Sequence, residues 1–494
     1  MSSTDPWINY ATAIAMLLAT LGLLAARSAL AARHPRRLTA YFSLVAVLSM
    51  WSYSNFGAFH RPYFDFVHSW DMFHYYVSAK YFPELGYDGL YGAVLQADAQ
   101  LPEPHLKELK WVRDPKSYEL VKARKMRRNK RYVEKFSEAR WDAFIGDVAY
   151  FEDTIPSHRW KWFFRDHGYN APPARTAVTG PIAAMLGSAN DVSVLAIALI
   201  DPLLIAILIG AVFRVYGLRI ASLVVIAFGT SKLASFSWIG GSFTRFDWFV
   251  LTGLGVIALR ARRHFLAGAL IGAAAMLRLF PAFFALGVVL RGLYLLFRTR
   301  RIEASYTQFA AGLFAAGAGL FLMSLVAGGG LTAWTEFLQK IVRHAAGSYA
   351  NHVGVLAVVG DRTALLWLAR AVVVGLYLAA LPRLDDVQAA LLGGVLIFTF
   401  GFIAGYYYSF LALFWLWQRD VRLDWNAVAF YVLLFVPSTV IIALEDPARL
   451  SMPKEHYAAS VALVVAFGAL FWWIFRNHMA PRTTIALRTP LQPS

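Results

Sequence analysis

The sequence predicts an all-α polytopic membrane protein, and three observations predict it. Apolar runs of roughly 17–25 residues, each long enough to cross a hydrocarbon core of about 30 Å, recur along a chain of 494 residues. Hydrophobic residues make up 58% of the chain and aromatic residues 15%, more apolar surface than a soluble protein of this length could hide. The basic clusters fall on alternate connections between the runs. Only helices or closed barrels satisfy their backbone in lipid, and these runs are too long for barrel strands.

Spans are expected near 9–31, 40–59, 193–214, 219–237, 246–260, 265–279, 281–297, 307–327, 363–381, 387–403, 405–418, 425–443 and 457–475. The first run lacks the basic region of a cleavable signal peptide and reads as a retained anchor. "HPRR" (34–37), "RVYGLR" (214–219), "RARRH" (260–264), "RTRR" (298–301), "QRDVR" (418–422) and "RNHMAPR" (476–482) occupy alternate connections. Positive residues in short loops stay in the cytoplasm, which puts the N-terminus outside. The chain then divides into transmembrane helices at 1–59, an exoplasmic loop at 60–192 and more transmembrane helices at 193–327. An exoplasmic or re-entrant segment at 328–362, a last transmembrane block at 363–476 and a cytoplasmic tail at 477–494 complete it.

The large loop carries "KELKWVRDPKSYELVKARKMRRNKRYVEKFSEARW" (107–141). Long loops translocate largely regardless of charge. The run reads as a solvated helix lying on headgroups, compatible with a collar that attracts a phosphate-bearing lipid. In a membrane protein the net charge of +17 points to anionic membrane lipids as partners and not to nucleic acid. The segment 328–362 opens with an amphipathic helix near 331–345. In "AGALIGAAA" (267–275), Gly268 and Gly272 predict close helix packing.

Absences narrow the chemistry. The chain has no cysteine, hence no disulfide, thiolate metal site or cysteine nucleophile. It has no phosphate loop, no G-x-G-x-x-G after a strand and no H-E-x-x-H. An activated substrate must therefore bring its own leaving group.

The stretch "HSWDMFHYYVSAKYFPELGYDGLYG" (68–92) is too polar to span and too specific for a linker. With Ser69 as cap and a helix from Trp70, His68, Asp71, His74 and Tyr75 recur at three or four residues and share one side. Asp71 is open between a general base for a hydroxyl nucleophile and a carboxylate favouring the helix dipole. Asp65 faces elsewhere on a continuous helix, and Asp88 reads as a turn residue. Arg278, in "LRLFPAFF", either has a partner or cavity at membrane depth or snorkels to the interface. Arg343 and His344, with Asn351 and His352, offer donors from the second exoplasmic segment. Arg245 and Asp247 are expected to pair with each other, and Asp201 is open between a buried acceptor and a neutral carboxylic acid.

The arrangement resembles the GT-C superfamily of membrane glycosyltransferases, most closely the bacterial polyprenyl-phosphate-dependent mannosyltransferases. Three pieces carry the likeness, which covers roughly residues 40–420. They are Asp71 followed by aromatics and "LGYDGLYG", the basic residue before a mid-chain proline in "LRLFPAFF", and the Asn-containing "YANHVG" after an amphipathic segment. The chain departs from the family pattern in having Arg278 where Lys is common and His352-Val353 where Gln-Ser is common. The span at 9–31 and the basic insert at about 100–165 lie outside that pattern.

The resemblance implies a GT-C-like bundle of about 11–13 transmembrane helices in a bacterial cell membrane. It implies inverting transfer of a hexose such as mannose from a polyprenyl-phosphate donor to a lipid or glycan acceptor on the outer face. Asp71 would deprotonate the acceptor while Arg278 and the Arg343/His344 group stabilise the departing phosphate. Asp65, His68, His74, Tyr75, Arg245, Asn351 and His352 would line the substrate site, with no metal or cofactor required. The rivals are a lipid-linked substrate transporter or flippase, towards which Asp201 leans, and an oligosaccharide ligase. No internal repeat is visible and the polar groups gather at the outer face, which favours an enzyme.

Overall fold

The computed structural model describes residues 6–28, 33–60, 65–345, 347, 350–360, 362–418, 423–445 and 452–477. The apolar runs form helices, and among the described residues seven are long and apolar enough to cross a membrane. An eighth results if Leu218–Gly229 and Lys232–Ile239, bent by 69° at their junction, are one broken span. The chain is thus a helical, multi-pass membrane protein. Its exposed apolar side chains, such as Leu203, Phe314 and Val326, face outward from these helices as lipid contact requires.

The count falls below the 11–13 spans expected because several apolar runs make short helices. Asp247–Arg260, His264–Leu277 and Asp386–Phe400 have 14, 14 and 15 residues, or roughly 21–23 Å at 1.5 Å per residue. The run expected at 405–418 is a 3₁₀-helix, Gly405–Trp417. Pro35–Tyr53 carries Arg36 and Arg37 in its first turn and is not among the seven. A helix that stops short of the bilayer edge leaves room at that end for irregular backbone, provided protein covers it. The candidate site occupies this room.

The basic connections meet at one end of the bundle. Arg219 donates to the Pro35 carbonyl (2.8 Å), and Arg260 reaches Tyr216 Oη (3.3 Å) and Asp385 (3.2 Å). Arg291 and Tyr306 converge on Asp386 at 3.0 and 2.7 Å. Connections 418–422 and 476–482 lie largely outside the described residues. The close packing expected at Gly268 and Gly272 is found: a Cβ on Gly268 would stand 2.0 Å from the Phe309 carbonyl of Ala304–Ala327.

At the opposite end, residues 65–172 fold into a compact unit with its own aromatic core, including Phe73, Tyr81, Phe144 and Trp160. The expected helix through the basic run is absent. Trp111–Arg113 and Leu120–Lys122 pair as an antiparallel hairpin, with Val112 opposite Val121. Pro115 cannot continue a helix, and the Asp114 carboxylate closes the turn on the Lys116 N–H (2.9 Å). The basic residues are thereby spread over a hairpin and the short helix Ala123–Arg127. The following helix, Glu138–Thr154, starts at Ser137, whose hydroxyl accepts the Arg140 N–H.

Two helices close the gap between unit and bundle. Pro173–Met185 belongs by position to the expected loop 60–192, yet it packs along Ala304–Ala327. The amphipathic helix Gly330–Ala345 buries Ala333, Phe337 and Lys340 against the unit. Lys340 donates to the carbonyls of Tyr87 (3.2 Å) and Pro115 (3.3 Å), and its burial lowers its pKa to about 8.

One buried acid makes the unit pH-sensitive. Glu152 is 2% exposed, with its carboxyl beside that of Asp98, and His105 Nδ1 lies 3.8 Å away. Burial first, then the charge of Asp98, pushes its pKa up to about 8. A raised carboxyl pKa stabilises the fold fully below the unfolded value of about 4.3, and the stabilisation is lost as pH rises through 8. Glu152→Gln should therefore melt with wild type at about pH 4 and at least ~2 °C higher near pH 8, a shift corresponding to about 1 kcal/mol. Thermal denaturation across pH checks this, and a constant difference between the two proteins would refute it.

Candidate functional site

The site is built on one strained turn. Residues 243–246 join the short helix Phe236–Ile239 to Asp247–Arg260, and Thr244 sits at φ 47°. A β-branched residue in the left-handed region costs about 1–3 kcal/mol, so the surroundings must impose it. Three buried polar side chains do so from three separate elements. Asp71 Oδ2 accepts the Phe243 N–H (3.0 Å). Asp201 accepts the N–H groups of Arg245 (2.6 Å) and Phe246 (3.1 Å). Arg175 Nη2 donates to the carbonyls of Phe243 (2.6 Å) and Thr244 (3.3 Å) and to Thr244 Oγ1 (3.1 Å).

The turn aims Arg245 at Asp71. Arg245 Nε donates to Asp71 Oδ1 at 2.5 Å, and Nη2 contacts the same oxygen. The guanidinium lies 3.8 Å from the centre of the Tyr75 ring and 5.9 Å from that of Tyr406. Arg175 approaches the Tyr75 ring at 5.1 Å. Arg278 is 6% exposed and within electrostatic reach of Arg245, Asp247 and Tyr407.

These arginines are incompletely paired. Arg175 Nε and Nη1, Arg245 Nη1, and Arg278 Nε and Nη2 are buried without a hydrogen-bond partner. Arg175 Nε faces Asp247 Oδ2 at 3.7 Å, beyond hydrogen-bond range. Arg278 makes one bond, from Nη1 to the Leu277 carbonyl (3.1 Å). Buried polar groups are normally satisfied, and an unpaired buried charge is costlier still. The three guanidinium groups act on one another electrostatically, and their open donors, each in a planar fork, have the chemistry to bind an oxyanion such as phosphate.

Asp71 is 2% exposed. Burial alone pushes its pKa up, but the charges of Arg245 and Arg175 together with the Phe243 amide hold it below the ordinary carboxylate range. His68 is neutral: burial first, then His60, lowers its pKa to about 3. Its Nδ1 accepts the Asp71 N–H at 3.1 Å, so His68, and not Ser69, caps this helix.

The structure gathers part of the predicted set. Asp71, Tyr75, Arg245 and Arg278 share the site, with His68 supporting Asp71. His74 does not join them, because Met72–Tyr76 is a π-helical turn that breaks the expected spacing. It is fully buried in the extramembrane unit, with Nδ1 2.7 Å from the Trp70 carbonyl and Nε2 2.9 Å from Tyr91 Oη. Asp65 is an exposed turn residue whose carboxylate accepts the Val67 N–H (2.9 Å). Asp88 lies 4.0 Å from Lys340. Arg245 pairs with Asp71 and not with Asp247.

Arg343 and His344 form a separate group. Arg343 donates to the Lys116 carbonyl, and the His344 ring is 5.8 Å from His167 and 5.7 Å from His352. Asn351 and His352 act on the site through backbone. The Asn351 carbonyl accepts the Gly405 N–H (2.8 Å), and His352–Val353 pairs with Ile403–Ala404. That pairing fixes the start of Gly405–Trp417, where Tyr406 and Tyr407 meet the arginines.

Arg175 and the site role of Asp201 escaped sequence reasoning. "APPARTA" offered one signal: a lone arginine in an apolar helix start after two prolines. Among the described residues no group of three or more His, Asp or Glu is arranged to hold a metal ion. No protein-family model, curated protein or solved structure matches the chain.

Gly241 ties the turn to the Asp71 segment. It has φ +65°, its carbonyl accepts the His68 N–H (3.0 Å), and a Cβ there would stand 1.8 Å from the Phe66 carbonyl. Gly241→Ala should destabilise the protein by roughly 3 kcal/mol, whereas Gly146→Ala, in a helix with open space at its Cβ, should be neutral or stabilise by up to about 1 kcal/mol. Paired melting curves of the two variants distinguish them; equal melting temperatures would contradict the close approach.

Proposed function

We propose that the chain is an inverting glycosyltransferase that moves a sugar from a polyprenyl-phosphate donor to a hydroxyl of a lipid or glycan acceptor. The observation that carries this reading is the set of five unpartnered guanidinium nitrogens beside a buried carboxylate, at the end of a membrane bundle. In the reaction the acceptor oxygen bonds to the anomeric carbon while the bond from that carbon to the phosphate oxygen breaks. The electron pair stays on the phosphate, and the acceptor proton goes to Asp71. Arg175 and Arg278, with the free edge of Arg245, bind the phosphate as its charge grows. A well-placed donor of this kind contributes about 3 kcal/mol to the transition state.

The setting supports a lipid donor. The site lies at the bundle end away from the basic connections, hence on the exoplasmic side by the positive-inside rule. Lipid-exposed helices give a prenyl chain a place to lie while the phosphate reaches the arginines. The basic hairpin surface supports binding to anionic lipids. Placing Arg175 with the phosphate and Arg343 with the extramembrane unit revises the donor set that the family resemblance implied.

The purified protein should release polyprenyl phosphate and form glycosylated product when given polyprenyl-phosphate hexoses and a membrane lipid extract. Asp71→Asn should lower turnover by ~10²-fold or more, and Arg278→Gln by about 10²–10³-fold. Undiminished turnover in Asp71→Asn would remove Asp71 as the base. Movement of intact donor between leaflets without chemistry would replace the transferase by a flippase.

A further inference from the structure

Paired as it is with Arg245, Asp71 is poorly prepared to accept a proton. Both its oxygens are engaged, Oδ1 by Arg245 and Oδ2 by the Phe243 amide. Arg245, however, spends one edge of its fork on Asp71, through Nε and Nη2, and leaves Nη1 unpartnered. Its backbone cannot follow the side chain, because Asp201 holds its N–H and Trp248 Nε1 donates to its carbonyl (3.0 Å). The guanidinium can therefore change partner by rotating its side chain over the Tyr75 ring while the turn stays fixed.

We propose that Asp71 is a gated base: an anionic phosphodiester entering among Arg175, Arg245 and Arg278 draws the Arg245 guanidinium off Asp71 and so releases the carboxylate to take a proton. The gate rests on the phosphate reading of the site and adds its regulation. Two consequences favour such a device. While Arg245 is paired with Asp71, the base is held in an ion pair and presents no strong base to water or a stray hydroxyl. A filled site has a stronger base, because base strength follows pKa. The charged and titratable groups facing Asp71 are Arg245, Arg175, His68 and Tyr75. With Arg245 turned to the phosphate, His68 remains neutral, and burial together with the incoming negative charge pushes the carboxyl upward.

The test is proton uptake on binding, which needs no turnover. Farnesyl methyl phosphate serves as probe, since a phosphodiester loses its one acidic proton far below the working pH. Titration calorimetry at about pH 5, above the ordinary carboxylate pKa of ~3.9, is run in two buffers of different ionisation enthalpy. Wild type should take up a proton on binding, approaching one per site as pH falls towards that value. Asp71→Asn should bind the probe with no proton exchange, its retained affinity showing an intact site. Arg245→Gln, whose released and buried Asp71 already holds much of its proton at this pH, should bind more weakly and with less uptake than wild type.

Probe binding by wild type without uptake, or uptake that persists in Asp71→Asn, would overturn the gate and leave the phosphate site standing. Absence of probe binding at millimolar concentration would overturn both. Uptake without any glycosyl transfer would keep the gate and sink the transferase.

Discussion

The site depends on the clamping of a four-residue turn by buried polar side chains. Thr244 is held in a conformation its side chain disfavours, and Asp71, Asp201 and Arg175 supply the bonds that hold it. These residues come from the extramembrane unit, a transmembrane helix and the connecting helix Pro173–Met185. The clamp is therefore complete only when all three have docked. Its product is an Arg245 with a fixed backbone and a guanidinium free on one edge. Rigidity of backbone with latitude of side chain is the combination that a preorganised anion receptor needs.

The surrounding fold explains how such polarity is tolerated. Charged groups at membrane depth are costly unless they face each other or a cavity, and irregular backbone there needs cover from protein. Short helices such as Asp247–Arg260 leave space at one end of the bundle, and the aromatic-cored unit covers it. Tyr75, Tyr406 and Tyr407 form the lining. The ring faces of Tyr75 and Tyr406 accept the Arg245 cation, and Tyr407 lies within electrostatic reach of Arg278. Orphaned guanidinium donors in this setting are a standing cost that an oxyanion would remove, and they give the functional reading its weight.

The secondary elements were more legible than the spans. Hydrophobic runs located the helices, since burial in lipid leaves no other solution for the backbone. Among the described residues fewer helices than expected are long and apolar enough to cross, because apolar runs such as 387–403 do not announce where their helices stop; Phe400 ends one where Gly401 turns the chain. The basic run was misjudged for a local reason, Pro115 and its Asp114 turn, which composition concealed. Within the site, Asp71, Tyr75, Arg245 and Arg278 were legible as polar groups in apolar or aromatic settings. His74 was misplaced because a single π-helical turn changes which residues share a face.

By itself the sequence determined that this chain is helical and membrane-embedded. It also showed basic clusters on alternate connections between the apolar runs, and Asp71 and Arg278 as unusual where they stand. These follow from hydrophobic length and local spacing, which act over a few turns of chain. Tertiary structure alone decided that Arg245 pairs with Asp71 and not with Asp247 two residues away, that Asp201 serves a backbone turn, and that Arg175 joins the site while Arg343 leaves it. Those partnerships span 174 residues between Asp71 and Arg245 and 44 between Asp201 and Arg245. Contacts at such separations are chosen by packing, because a buried charge takes whichever opposite charge or amide the fold delivers, and no local pattern encodes that choice.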